Sequence, residues 1–233
     1  MKRKNRTSFW RFISCILRIF VRKPKFYFLG EEFSDQAIYL SNHVGAKVPL
    51  ALELYFPKEF RFWGVHSMND NFKERYHYLS VTYFHKKKHI NIFLSKIIAV
   101  VATPILGIFY WGIRLLPTYN DARLIPTIRK SIDILKENQS IVIFPEDSSN
   151  GYHDVLTHYY SGFYLLAKKA YEKGIDLQIY NMYFHKKERV FVVDQPIKFS
   201  KLLSLNKSGD EIAEMFRVKA NILGQIKDFK KEN

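Results

Sequence analysis

The stretch "AIYLSNHVGAKVPLAL", Ala37 to Leu52, holds an apolar run, a polar turn and a second apolar run in quick succession. Ala37–Leu40 has the length and composition of a buried strand. A helix is expected over residues 49–56, with Pro49 in its first turn and Pro57 after its end. Asn42 and His43 sit between the two, at the point where a strand hands over to a helix.

The same alternation extends outward. Strand-like runs recur as "FYFL", "FRFWGV", "IRLLPTY", "IVIF", "LQIYNMYF" and "RVFVV". Helices are expected over 71–80, 121–137 and 157–172 between them. The tail "SGDEIAEMFRVKANILGQIKDF" opens with a capping box, Ser208 to Glu211, and continues with apolar residues at helical spacing. Strands alternating with helices imply an α/β fold with a mostly parallel sheet flanked by helices. No repeat, low-complexity tract or linker divides the chain. The expected organisation is a membrane-association segment over residues 1–30 and an α/β domain over 31–233.

Composition fits that scheme. Hydrophobic residues make up 47% and aromatics 16%, enough for a substantial core and for a surface that meets lipid headgroups. The single cysteine, Cys15, excludes an internal disulfide and any cysteine-based metal cluster. The net charge is +15, and nine basic residues with no acid lie in the first 25 positions. A basic end of this kind suits an anionic membrane or an acidic partner better than a protein basic all over. Nucleic acid is not expected as a partner, because no face interleaves aromatic and basic residues and no known module is present.

On a helical wheel, "FWRFISCILRIFVRK" puts Phe9, Trp10, Phe12, Ile13, Ile16, Leu17, Ile19, Phe20 and Val21 on one broad side. Arg11, Ser14, Cys15, Arg18 and Arg22 fall on the other, and Pro24 ends the pattern. This describes an amphipathic helix lying in a membrane interface, with a docked soluble helix as the alternative. The arginines interrupt the run too often for a signal peptide or a spanning helix. A second apolar stretch, Ile97 to Ile113, is about as long as the shortest spanning helix, but Pro104, Gly107 and Gly112 weaken it. Its small or polar side carries Ser95, Lys96, Ala99, Thr103 and Gly107. A kinked helix, partly buried and dipping into one leaflet, is expected. Together these segments imply peripheral or monotopic attachment at the cytoplasmic face of a membrane.

No G-x-S-x-G elbow, H-E-x-x-H pair, phosphate-binding P-loop or G-x-G-x-x-G fingerprint is present. "HKKKH", His85 to His89, spaces two histidines one helical turn apart, but three lysines between them repel a metal ion. A solvated basic face that could meet phosphate is the better reading, and no metal is expected. Two motifs remain: Asn42-His43, and "IVIFPEDSSNG", Ile141 to Gly151, a buried strand opening into a polar loop. Ligands gather at the C-terminal ends of strands in open α/β sheets. Alone, His43 reads better as a structural histidine capping the following helix; the distant F-P-E motif favours catalysis.

In this order and about a hundred residues apart, the two motifs resemble those of the glycerolipid acyltransferase superfamily, which acylates lysophosphatidic acid and glycerol 3-phosphate. The family's N-H-x-x-x-x-D stands here as N-H-V-G-A-K-V, and its F-P-E-G-T-R as F-P-E-D-S-S. Its G-x-x-F-I-x-R strand is echoed by "GIRLLPT", Gly112 to Thr118, and its following helix by "HYYSGFYLLAKKA", His158 to Ala170. The resemblance covers roughly residues 35–195. It implies that His43 is the general base that takes the proton from an acceptor hydroxyl attacking an acyl thioester or acyl phosphate. It implies substrate-binding roles for Asn42, Pro145, Glu146 and Ser148.

The departures carry information. Val48 stands where the family has the aspartate that orients the histidine. In the related arrangement of serine hydrolases, neutralising that carboxylate costs about 10⁴ in rate. Asp147, in place of the family's glycine, is the expected substitute. Neighbours in an extended chain point to opposite sides, so at most one of Glu146 and Asp147 should face His43. Ser149 and Thr118 stand at the positions of the two arginines thought to hold the acceptor's phosphate. Arg123 could reach a phosphate instead, or simply cap helix 121–137.

The function these residues imply is a membrane-associated O-acyltransferase of phospholipid synthesis or remodelling. Its donor would be acyl-CoA, acyl carrier protein or acyl phosphate, with no resident cofactor. Its partners would be an anionic membrane surface, a lysolipid or glycerol-phosphate-type acceptor and, for one donor, acyl carrier protein. The alternative is a catalytically silent lipid-binding relative of the same fold.

Overall fold

The computed structural model describes residues 6–68, 71–119, 121–148 and 151–229. Its sheet has eight strands: β1 (Lys25–Phe28), β2 (Ala37–Ser41), β3 (Phe60–Val65), β4 (Leu116–Thr118), β5 (Ser140–Ile143), β6 (Gln178–His185), β7 (Val190–Val193) and β8 (Ile197–Lys198). The order across the sheet is β1-β7-β6-β2-β5-β3-β4, with β8 paired to β6. From β6 to β4 every neighbouring pair is parallel, whereas β7 and β8 run antiparallel to β6. The parallel strands therefore end along one shared edge.

Period-two alternation splits the core into two layers. Ile38, Leu40, Ile141 and Ile143 face one cluster, and Ala37, Tyr39 and Val142 face the other. Helices α5 (Leu124–Lys136), α6 (Gly162–Tyr171), α7 (Phe199–Leu203) and α8 (Gly209–Gln225) bury their apolar sides in the first cluster. Helices α1 (Ser8–Phe20), α2 (Lys47–Tyr55) and α4 (Ile92–Ile113) cover the second. With them lies α3 (Phe72–His77), which continues as a π-helix over Tyr78–Lys87. The fold is α/β, with a mostly parallel sheet flanked by helices, and the capping box at Ser208 and Glu211 is formed.

Several boundaries differ from the sequence reading. β1 joins the sheet beside β7, so the sheet domain begins before the boundary expected at residue 31. The helix expected over 157–172 starts at Gly162, because residues 158–160 pair back onto 145–147 instead. β4 is short because α4 runs on to Ile113 and ends at Arg114 in the left-handed region (φ 52°). α4 also begins earlier than expected, capped by Asn91, whose side chain accepts from the Phe93 N–H at 2.9 Å, and it passes through Pro104 without ending. α7 and β8 have no counterpart among the expected elements.

The wheel drawn for α1 needs a correction. Arg18 does not point to solvent: its Nε and Nη2 donate to the Leu54 carbonyl at 3.1 and 2.7 Å, satisfying an end of α2. Arg6 makes a buried bidentate pair with Glu53, at 2.9 and 2.7 Å, and the Trp10 indole donates to the same carboxylate at 2.9 Å. The apolar side of α1 consequently divides. Trp10, Ile13 and Leu17 pack inward, while Phe9, Phe12, Ile16, Ile19 and Phe20 are exposed. α4 shows the same inversion more completely. Ser95, Ala99 and Thr103 are fully buried, and Phe93, Ile97, Val101, Ile105, Ile108 and Trp111 are each at least half exposed. The small face lets α4 approach closely: a Cβ on Gly112 would meet the Trp10 side chain at 2.9 Å.

Candidate active site

β2 and β5 are hydrogen-bonded neighbours, and their chains leave the sheet at the same edge. The first delivers Asn42 and His43, the second Phe144 to Ser148. The two motifs, far apart in sequence, thus meet. Asn42 is buried and works on the main chain. Its Oδ1 accepts from the Phe184 N–H at 2.7 Å and its Nδ2 donates to the Phe184 carbonyl at 3.4 Å. It ties the turn after β2 to β6 and so fixes where His43 emerges. The Pro145 carbonyl accepts from the Tyr160 N–H at 2.8 Å.

The His43 ring lies flat against Tyr152, with centroids 4.9 Å apart, and edge-on to Phe144 at 4.7 Å. Its Nδ1 is covered and has no hydrogen-bond partner among the described residues. Burial, followed by the Lys87 and Lys88 ammoniums, pushes its pKa from an ordinary 6.5 down to about 3. The imidazole is therefore neutral near neutral pH, the form a general base needs.

Glu146 is the acid beside it. Its carboxyl is pushed up to about 7 by burial, against the pull of the nearby His43 main-chain N–H and of Lys87. Neither closes a hydrogen bond, and both carboxylate oxygens are covered and unpartnered. The bridge between Glu146 and Tyr159 holds this segment, and the buried Tyr159 hydroxyl also lacks a partner. Buried polar atoms in folded proteins almost always have partners. Four atoms without a partner among the described residues gather around this one strand-end loop, which makes it the candidate site.

No family model and no curated protein matches this chain.

The other acids and bases fall as follows. The Asp147 main-chain N–H donates to the His158 carbonyl at 3.1 Å, and its carboxylate acts on Tyr160 and Lys87. It makes no hydrogen bond to Nδ1 of His43, so the orientation expected of it is not made through that atom. Glu53 is committed to Arg6 and Trp10 on the far side of α2. Val48 is fully buried in the core. Arg123 pairs with Asp121 (2.7 Å from Nη2) and lies over the Tyr119 ring at 4.6 Å, one residue before α5. Thr118 donates to the Gly64 carbonyl at 3.0 Å, and Ser149 lies outside the described residues.

Three residues at the site were not singled out from sequence: Lys87, Lys88 and Tyr152. Lys87 Nζ donates to Ser148 Oγ at 2.8 Å and sits 5.8 Å from the Tyr152 ring centroid. Lys88 Nζ lies 5.3 Å from the same ring and 5.9 Å from Tyr83. The "HKKKH" run was the available signal, since it reads as a basic face able to meet phosphate. A shallow, solvent-open dimple lined by Glu146, Asp147, His153 and Leu156 lies alongside.

Proposed function

We propose that this protein is a membrane-associated O-acyltransferase that moves a fatty acyl group from a thioester or acyl phosphate to the hydroxyl of a lysophospholipid or glycerol-phosphate-type acceptor. The observation that carries the reading is the pairing of His43 and Glu146 at one sheet edge, each with covered, unpartnered polar atoms. It agrees with the resemblance of N-H-V-G-A-K-V and F-P-E-D-S-S to the motifs of glycerolipid acyltransferases. In the reaction, His43 takes the acceptor's hydroxyl proton as the oxygen forms its bond to the acyl carbon. The bond from that carbon to sulfur or to phosphate oxygen breaks, and the proton passes to the leaving group.

The membrane side of the reading rests on the inverted helices. A helix whose small residues face the protein and whose large apolar residues face outward is stable where the outside is not water. α4 is the one described helix long and apolar enough to cross a membrane. Its inner face is packed on α1, α3 and the π-helix, which favours lying in the cytoplasmic leaflet over crossing it.

The missing carboxylate partner of His43 keeps a second reading in play, a silent lipid-binding relative. Incubating the purified protein with labelled acyl-CoA, acyl carrier protein and acyl phosphate against a panel of lysolipids separates the two. Transfer is expected, reduced roughly 10²- to 10⁴-fold in His43→Ala, the usual worth of a general base. No transfer from any donor, with liposome binding retained, would establish the silent relative.

A further inference from the structure

The π-helix ends in an arrangement with no use in the core. Its i→i−5 bonding is seen where the Lys88 N–H donates to the Tyr83 carbonyl at 3.1 Å. In that register the residues four and five positions on both share the face of the residue that starts the turn, whereas an α-helix brings round only the third and fourth. The wider turn therefore sets Lys87 and Lys88 together on the Tyr83 face. They flank the Tyr152 ring that stacks on His43.

Neither ammonium has a carboxylate within ion-pair distance among the described residues. Lys87 is half-buried, and burial lowers its pKa against the pull of the Asp147 and Glu146 carboxylates. Among the described residues its one hydrogen bond is to the neutral Ser148 hydroxyl. Two like charges, one partly desolvated, are costly to hold together without an anion. Gly45 approaches them as bare backbone in the left-handed region, at φ +57°: a Cβ there would already touch Lys88 Nζ, at 3.5 Å.

We propose that Lys87 and Lys88, with the Ser148 hydroxyl, hold a phosphate monoester of the substrate against His43. This rests on His43 being the acyl-transfer site. It assigns the phosphate to a segment between β3 and α4, replacing the two arginines whose positions are taken by Thr118 and Ser149. A bound dianion has a second consequence. The groups facing His43 are Lys87 and Lys88 from the π-helix, and Glu146 and Tyr152 from the loop after β5. Burial is the main cause of the low imidazole pKa and the lysines add to it; neutralising them removes that smaller part, so the phosphate-bearing substrate makes His43 a somewhat stronger base.

The test uses the full chain in neutral phosphatidylcholine vesicles, with Lys87→Met/Lys88→Met beside Lys130→Met/Lys136→Met, which removes the same charge from α5. Acceptors are lysophosphatidate and monoacylglycerol; donors are acyl-CoA and the phosphate-free acyl-N-acetylcysteamine. The site variant should raise KM for lysophosphatidate at least about a hundredfold, since each charge-assisted bond is worth roughly tenfold or more. KM for monoacylglycerol should stay within about twofold, and Lys87→Arg/Lys88→Arg should restore most of the loss. A rise confined to acyl-CoA would place the donor's phosphate in the site instead of the headgroup. Unchanged KM for every phosphate-bearing substrate, or an equal rise for the phosphate-free ones, overturns the proposal. Should the chain transfer nothing, inorganic phosphate titrated into ¹⁵N-histidine-labelled protein decides. A shift of the His43 signal in wild type but not in the site variant upholds the phosphate site without the acyl transfer, and no shift in either overturns it.

Discussion

The two helical layers of this protein obey opposite rules. On one face of the sheet, α5, α6 and α8 bury apolar residues and expose charges such as Arg129, Lys130, Lys168 and Glu214. On the other, α4 buries Ser95 and Thr103 and exposes Phe93, Ile97 and Trp111. The sheet and its alternation are shared, so the difference lies in what each layer meets outside. The first layer is finished against water. The second leaves the large apolar side chains of α4 uncovered, the surface that the proposed membrane attachment would cover. The candidate site lies at the sheet edge where His43 and Glu146 emerge, and Lys87 and Lys88 reach it from the layer that holds α4.

The sharpest way to break this comparison is to give the second layer the surface of the first. Phe93→Glu/Ile97→Glu/Val101→Glu changes only exposed positions, so the fold should persist with little change in thermal midpoint. Burying a large apolar side chain is worth about 1.5–3 kcal/mol, so losing three should weaken liposome binding by at least about a thousandfold. Matched reversals on α5, Arg129→Glu/Lys130→Glu, should leave flotation with neutral liposomes unchanged. Equal loss from both sets would mean that the two layers do not differ in function.

The buried ion pair is the next largest effect. Arg6 and Glu53 are each almost wholly covered. Removing one partner of such a pair costs about 3–5 kcal/mol, because the other is left charged in the core. Glu53→Ala should lower the denaturant midpoint accordingly and also orphan the Trp10 indole. This would show that α1 is fastened to α2 by the buried ion pair and not only by its apolar side.

These two cases also show what the sequence could and could not tell. β2 and β5 were legible because four or five apolar residues bounded by polar ones have few other uses. The meeting of His43 with Glu146 followed once both strands were placed in a parallel sheet. The small face of α4 was visible on a wheel, and it proved to be the packed face. Lys87 and Lys88 were not legible as partners on the Tyr83 face, because α-helical pitch brings only Lys87 round to it and the π-register brings Lys88 round as well. The bond between Arg18 and Leu54 was hidden for another reason: it depends on where α2 ends in space. Parity along the chain allowed only one of Glu146 and Asp147 to face His43. It is Glu146 whose carboxyl lies by the His43 main-chain N–H.

A smaller effect separates the two titrating groups of the site. His43 is depressed from 6.5 to about 3, so its contribution to stability is present above pH 6.5 and is lost as the pH falls toward 3. Glu146 is raised from 4.5 to about 7, so its contribution is present below pH 4.5 and is lost as the pH rises through 7. Between 4.5 and 6.5 the two slopes oppose each other. Thermal midpoint against pH should therefore be flat there for these groups. His43→Gln should flatten the limb below pH 4.5, and Glu146→Gln the fall approaching pH 7. If neither variant changes either limb, the site is wetter than its covered atoms imply.

The smallest effect expected is at Arg123, the other basic residue at this edge of the sheet. Strands lie about 4.8 Å apart, so β4 stands on the order of 15 Å across the sheet from β2. Arg123 follows β4, and it already has the Asp121 carboxylate as a counter-ion and the Tyr119 ring beneath it. A phosphate arriving there must displace an anion that is covalently at hand, whereas none pairs with Lys87 or Lys88 among the described residues. Exposed pairs of this kind contribute little to stability, so Arg123→Ala should leave the thermal midpoint unchanged within error. Its KM for a phosphate-bearing acceptor should move less than about twofold. A change as large as that of Lys87→Met/Lys88→Met would transfer the phosphate from the π-helix to the end of β4 and would make Asp121 a gate to be displaced.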